Sequence, residues 1–414
     1  MKLTNSPLFL YTVAIVLGLL SGLLSAQTIF SIATWISDAF INLLSLVSLP
    51  IIFLSIVQLA TNVDNIDSIK QVSKRVIRYT LFTTVAAATV ALIVFLLIDP
   101  VRDSITFVES NTSVTFSENY MDHILKVIPS NIVKPFAENN VIGVLILALI
   151  ISGASFTIDT EQRKTLHTFF SSLYAIFMKI TSKIILFIPV AIWAFLTLFI
   201  RDLEQGFELK TIGYYLLCII AANLIQGLIV LPLFLKAKKI SPRKLFSAMF
   251  PALTVAFFTK SSNAALPTAT QSAKERANLD PRVVQVSFPL CTTINMNGCA
   301  GFILTTTLFV AMMNGIHFSP IELILWVFVA TIAAVGNAGV PMGCYFLATS
   351  FLATMNIPLY LMGVILPFYS FIDALETAIN VWSDSCITAV VDKELYPIAN
   401  KEPEYITELV KANS

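Results

Sequence analysis

Residues 371–384 read Phe371-Ile372-Asp373-Ala374-Leu375-Glu376-Thr377-Ala378-Ile379-Asn380-Val381-Trp382-Ser383-Asp384, and apolar residues continue on both sides, from Leu361 to Phe368 and from Ile387 to Val391. The whole run is long enough to cross a bilayer as a helix. At about 100° per residue, Asp373, Thr377, Asn380 and Asp384 fall in one narrow arc, with Glu376 about 60° to one side. Three carboxylates, an amide and a hydroxyl thus share a stripe at membrane depth. Ionisable groups are costly there and mark ion or substrate paths. Carboxylates at a solvated helix end are the bland alternative, which the flanking apolar runs oppose.

Outward from this stretch, the 414 residues are 57% hydrophobic and 12% charged, with mean hydropathy +0.82. Soluble domains carry about a quarter charged residues, so the chain reads as an all-α integral membrane protein. A net charge of +1 speaks against nucleic acid as a partner. Cys218, Cys291, Cys299, Cys344 and Cys386 all lie in apolar stretches without CxxC or Cys/His spacing, implying neither a disulfide framework nor a zinc site. No GxxxxGK[ST] loop is present for ATP-driven transport. The apolar run Leu8–Leu24 exceeds the about 7–15 residues of a signal-peptide core and reads as a first membrane helix.

Apolar segments fall at 8–27, 35–60, 76–98, 139–157, 171–200, 210–236, 246–258, 284–313, 320–335, 344–355 and 357–391. The first six, 284–313 and 357–391 are long enough to span about 30 Å. The three short ones read as re-entrant pieces, tolerated at depth where they line a cavity. The expectation is eight transmembrane helices plus two re-entrant helical hairpins. Basic residues set the orientation. Lys70, Lys74, Arg75 and Arg78 after the second span share a side with Lys236, Lys238, Lys239, Arg243 and Lys244 after the sixth and with Lys274, Arg276 and Arg282. Both termini are therefore expected in the cytoplasm, with 99–138 and its Asn111 sequon outside. Residues 392–414 read as a polar cytoplasmic tail.

Three polar breaks interrupt the later half. Thr259–Pro267 (TKSSNAALP) offers hydroxyls and backbone amides suited to a carboxylate, unless it is an ordinary surface turn. Thr292–Gly301 (TTINMNGCAG) holds two Asn, two Gly and two Thr in mid-span. It reads as an unwound segment able to coordinate a cation, or as small polar residues packing against a neighbour. Ala334–Gly343 (AVGNAGVPMG) reads as a flexible hairpin tip suited to a lid, or as a plain loop.

In order, TKSSNAALP (259–267), INMNG (294–298), GNAGVP (336–341) and IDALETAINVWSD (372–384) resemble the dicarboxylate/amino acid:cation symporter family, the glutamate-transporter fold. Ile128-Pro129-Ser130-Asn131 with Val141-Ile142-Gly143-Val144 is similar to the start of that family's fourth span. The resemblance implies an elevator-type transporter and a homotrimer formed through its early helices. Residues 1–240 would be mostly scaffold, with the third span joining the transport domain, and 241–391 the core of that domain. It implies sodium at Asn295, Asn380 and Asp384, and a second sodium near Gly336, Asn337 and Thr293. Thr83 and Thr84 match a third sodium site whose usual Asp is here Asn297, which makes two ions the better expectation. It further implies that the substrate's α-carboxylate meets Ser261, Ser262 and Val340, and its α-amino group Asp373 and Thr377, with Asn380 beside them.

Glu376 stands where acidic-substrate carriers of the family place an Arg, and Cys299 where they place a Thr. A like-charged pair about 4 Å apart costs about 4 kcal/mol at an effective dielectric of about 20, roughly a thousandfold against an acidic side chain unless Glu376 is protonated or paired. Lys260 is a candidate partner for Glu376. The Glu-Thr-Ala-Ile-Asn order resembles the serine/threonine branch, and Asn-Gly-Cys-Ala-Gly is similar to the cystine-carrier branch. The expected function is sodium-coupled uptake of a small neutral amino acid, serine or threonine first, across the inner (plasma) membrane. The alternative is a proton- or sodium-coupled carrier of glutamate, aspartate or dicarboxylates. A channel or a membrane enzyme fits less well: the polar groups converge on a closed pocket, and no nucleophile stands with a base.

Overall fold

Prolines open several helices of this chain, while Pro50, Pro251, Pro267, Pro289 and Pro367 lie inside others. The computed structural model describes residues 7–24, 26–61, 67–102, 131–137, 141–204, 209–337 and 342–396, and among these every regular element is helical. The early helices are α1 (Pro7–Leu23), α2 (Gln27–Thr61), α3 (Asp67–Ile98), the single turn α4 (Lys134–Ala137), α5 (Val141–Ser155), α6 (Thr160–Ile185), α7 (Ile188–Glu204) and α8 (Leu209–Ile225). A π-helical turn at Gln226–Val230 carries α8 into α9 (Leu231–Ala237). There follow α10 (Pro242–Thr259), α11 (Ser262–Glu275), α12 (Pro281–Ile294), α13 (Asn297–Met313), α14 (Pro320–Gly336), α15 (Gly343–Thr354) and α16 (Tyr360–Leu395).

The starts of the late helices are written locally. Asp280 caps α12 by accepting the Arg282 N–H, with Pro281 at the first helical position, where its missing N–H costs nothing. Ser319 and Glu322 form a reciprocal capping box at α14. Ser261 caps α11 by accepting from the Ala264 N–H.

Several boundaries differ from the sequence reading. Residues 28–34 belong to α2 rather than to a connection, and the basic stretch Lys70–Arg78 lies on α3 rather than in a loop. The apolar run 171–200 is not one straight helix: α6 and α7 meet at a bend of 53°. Pro189 explains the bend, because it has no N–H to continue the ladder across Leu186 and Phe187. By length and composition, four helical stretches among the described residues suffice to cross a membrane: 71–98, 209–237, 281–313 and 360–395. The bent pair makes a fifth.

α10 and α11 pack against each other as one helical hairpin, and α14 and α15 flank the second polar tip. The first hairpin rests on α12 and α16; both arms of the second rest on α13. α1 lies along α7, and α2 along α5, α6 and α7. α3 lies along α13 and also packs on α8, α12 and α14. α13 is the most enclosed element, with every residue but Met312 buried. At the end of α16, Arg75 of α3 and Lys238 just after α9 both reach Glu394, at 2.7 Å each, and Tyr79 donates to the same carboxylate. Two of the basic clusters expected on one side therefore meet at one end of the molecule. Leu97, Phe258 and Trp35 are exposed by 80%, 77% and 72%, an apolar outside that suits lipid or another apolar partner.

Candidate ion and substrate site

The break predicted in mid-span is real: α12 stops at Ile294 and α13 restarts at Asn297. Asn295 and Met296 leave helical geometry (φ −96°, ψ 80° and φ −112°, ψ 62°). The break turns polar groups toward α16. Asn295 donates from Nδ2 to Asp384 Oδ1 at 2.7 Å, and its own Oδ1 accepts from Ser383 at 3.3 Å and Thr83 at 3.4 Å. Asn297 donates to Ser383 at 2.5 Å and accepts from Thr84 at 2.9 Å. Asn295 and Asp384 are essentially sealed from solvent. The cluster offers carboxylate, amide and hydroxyl oxygens from three elements, the donor set a hard cation takes.

One turn further, Asn380 accepts the Gly298 N–H at 2.8 Å and aims its own N–H group at Met296 Sδ and Cys299 Sγ. Gly298 has a steric reason: a Cβ there would stand 2.8 Å from Glu376 Cα and 2.9 Å from Asn223 Oδ1. Asn337, just past the end of α14, points its amide nitrogen at Cys299 and Cys344. Glu376 closes this layer, with both carboxylate oxygens unpartnered among the described residues.

A cavity of about 160 Å³ lies on the other side, lined by Ile188, Ile192, Thr259, Lys260, Ser261, Met342, Leu366, Tyr369, Ser370 and Asp373. Lys260 adopts a left-handed conformation (φ 52°) at the tip between α10 and α11 and donates to Ser370 at 2.8 Å. The cavity is amphoteric: an ammonium and a serine from the first hairpin, a carboxylate from α16, and Met342 from the second tip.

The predicted residues thus separate into three groups. Asn295, Asp384, Thr83 and Thr84 share the first cluster; Asn380, Glu376, Cys299 and Asn337 share the second; Ser261 and Asp373 line the cavity. Ser262 is buried just behind the tip. Gly336 is buried at the end of α14. The Thr293 hydroxyl turns back to Pro289 O at 3.0 Å and the Thr377 hydroxyl to Asp373 O at 2.7 Å. Val340 lies outside the described residues. Lys260 bonds to Ser370, not to Glu376.

The cysteine reading requires correction. Cys299 and Cys344 are paired, 45 residues apart, with Cα atoms 5.4 Å from each other. Spacing rules look for neighbours in sequence, whereas this pair arises where α13 and α15 pack. Sequence reasoning also missed Ser383, which bridges Asn295 and Asn297, and the amides Asn223 of α8 and Gln226 of the π-helical turn. Gln226 donates to Thr83 O at 3.2 Å, and Trp382 reaches Gly227 O at 3.0 Å. Two buried amides, Asn223 and Gln226, inside the run 210–236 were the available signal.

Apolar helices, a broken span and carboxylates drawn inward define an all-helical membrane protein whose interior handles a charged solute or ion. Similarity makes the class specific. The chain belongs to the sodium:dicarboxylate symporter family, whose model matches residues 8–394. It is 26% identical over 429 residues to neutral amino acid transporter B(0) of Bos taurus, covering 92% of this chain and 78% of that protein. It is 26% identical over 410 residues to neutral amino acid transporter A of Homo sapiens, covering 88% and 76%. It is 29% identical over 256 residues to excitatory amino acid transporter 3 of Mus musculus, covering 61% and 49%. The chain thus spans about half the length of the excitatory relative and about three quarters of the neutral ones.

Proposed function

We propose that the protein is a secondary active symporter that couples sodium entry to uptake of a small neutral amino acid, serine or threonine first. The observation that carries this reading is the amphoteric cavity, where Lys260 and Ser261 stand with Asp373. A zwitterion needs donors for its carboxylate and an acceptor for its ammonium, and this cavity supplies both. Ser262, Thr377, Asn380 and Val340 complete the substrate shell in this reading. Glu376 and Cys299 set the side-chain end and disfavour a second substrate carboxylate.

The Asn295–Asp384 cluster, with Asn380, is the site of one sodium in this reading; Thr293, Gly336 and Asn337 are assigned a second by the family resemblance alone. Asn297 in place of a carboxylate leaves Thr83 and Thr84 short of charge for a third. Sodium bound at Asp384 neutralises a carboxylate that is costly to carry buried, so ion and solute move together. The architecture that goes with this mechanism has eight spans and two re-entrant hairpins. Residues 1–240 are mostly scaffold and 241–391 the core of an elevator-like transport domain, with α3 riding on that core. The assembly is a homotrimer in the plasma membrane with both termini cytoplasmic.

The test is uptake of labelled serine and labelled aspartate into proteoliposomes, first with an inward sodium gradient and then with a proton gradient alone. Sodium-driven serine accumulation is expected. Proton-driven aspartate accumulation would overturn both the ion and the substrate.

A further inference from the structure

The first turns of two helices converge behind the cavity, and each carries a cysteine. Cys299 is the third residue of α13 and Cys344 the second of α15. Glu376 of α16 completes the group, with Cys299, Cys344 and Glu376 offering ligand atoms that all lie within 4.8 Å of one another. Glu376 is 1% exposed, and neither of its oxygens has a hydrogen-bond partner among the described residues. The amide nitrogens of Asn337 and Asn380 approach Cys299 Sγ at 3.3 and 3.5 Å, and Asn337 is also 3.5 Å from Cys344 Sγ. Asn337 Oδ1 is a further buried atom without a partner.

A sealed carboxylate without a partner is costly to keep charged, and either a proton or a cation relieves that cost; the two sulfurs beside it favour a metal cation. The Asn380 amide N–H and the two helix N-termini around these sulfurs suit a metal-bound thiolate. We propose that, with the pair reduced, Cys299, Cys344 and Glu376 bind one borderline-soft divalent cation of the zinc class. Two thiolates and a carboxylate are zinc donors, with sulfur about 2.3 Å and oxygen about 2.0–2.2 Å from the metal. Tetrahedral binding puts the sulfurs about 3.8 Å apart at that bond length, so they separate from their present contact. Turning the Asn337 amide over presents its oxygen as a fourth donor; the nitrogen and oxygen positions are interchangeable in shape. Binding releases the two thiol protons. Sulfur donors set this site apart from the all-oxygen cluster at Asn295 and Asp384, which suits a hard cation. The ion ties α13, α15 and α16 together. The site shares Glu376, Cys299 and Asn337 with the proposed substrate and sodium shells, while its metal-binding readout does not depend on transport.

The experiment uses the full chain in detergent. A trialkylphosphine with water converts the disulfide to two thiols and itself to the phosphine oxide, and is then removed. Cadmium is titrated in, and the ultraviolet sulfur-to-cadmium band is followed. One cadmium per chain is expected, displaced by zinc, with no band in the unreduced protein. Cys344→Ala should lose the band, Glu376→Gln should weaken binding at least tenfold, and Cys218→Ala, at a buried cysteine outside the group, should keep both. No band in the reduced protein, or a full band in Cys344→Ala, overturns the proposal. If Cys344→Ala does not fold, Glu376→Gln decides, since it keeps both sulfurs and unchanged affinity would be fatal.

Discussion

Asn295 donates to Asp384 at 2.7 Å, joining the broken end of α12 to the middle of α16. The two residues are 89 positions apart. The Asn295 N–H still closes the last turn of α12 on Cys291 O, but the chain leaves helical geometry at Asn295 itself, and its side chain faces α16. The break thus positions an amide opposite a buried carboxylate, and the proposed coupling rests on that pairing. Replacing Asp384 by Asn removes the charge and keeps the shape. Sodium-driven uptake should fall at least tenfold, and stabilisation of the purified protein by sodium against heating should vanish. A sodium-dependent melting shift that persists in Asp384→Asn would refute the assignment of the ion.

Asn297 bridges Ser383 and Thr84 at 2.5 and 2.9 Å. In Asn297→Asp the contact with Thr84 can persist while a charge appears beside Thr83 and Thr84. Uptake should then rise more steeply with sodium concentration, as expected when a further ion becomes obligatory. An unchanged Hill slope would show that these threonines hold no ion even with a carboxylate beside them.

Exchanging the residues taken to set substrate choice gives a gain-of-function test. Glu376→Arg together with Cys299→Thr should confer aspartate uptake, because an Arg forks onto a second carboxylate where Glu repels it. Competition of aspartate against labelled serine measures it. No gain in a folded double variant would remove Glu376 from the substrate pocket.

Gly363 of α16 faces the Phe195 ring of α7, and a Cβ at Gly363 would collide with that ring. Phe195 is itself buried, so it has little room to yield. Gly363→Ala should destabilise the protein by about 1–3 kcal/mol, the usual range for overpacking, read as a lowered melting temperature. A melting temperature equal to that of the parent would mean that α7 and α16 separate freely here.

The Glu394 cluster supplies a pH test. Its hydrogen bond to Glu394, with a second to Tyr79, holds the Lys238 ammonium above the ordinary lysine range. A raised folded-state value means that the contribution is complete below the ordinary lysine value and is lost as pH rises through the raised one. Lys238 is about one-third exposed, so the link contributes only about 1 kcal/mol. Glu394→Gln should lower stability by at least that amount at neutral pH, because Arg75 loses its partner too; in strong alkali the Lys238 share of the gap should disappear while the Arg75 share stays. A gap that widens there would contradict the sign.

Helical class, membrane character, the polar stripe of α16 and the three breaks are all legible in the order of residues. They depend on hydrophobic run length, on a period of about 3.6 residues and on the local chemistry of Ser, Asn, Gly and Pro. Ser261 as a cap and Asn295 at a helix break are consequences of neighbours only a few positions away. Membership of the symporter family was legible for the same reason, as four ordered motifs.

Grouping was legible only through the family resemblance, which joined Asn295 to Asp384; the rest of it was not. Glu376 and Asp373 are three residues apart on one helix, yet Asp373 lines the cavity while Glu376 is sealed among Gly298, Cys299 and Cys344. Ser383 joins Asn295 to Asn297 although nothing in its local sequence marks it. Cys299 and Cys344 meet across 45 residues because both arms of the second hairpin pack on α13. Local sequence sets backbone conformation over a few residues. Which side chains share a buried space depends on how helices far apart in the chain pack together, and that is a property of the whole fold.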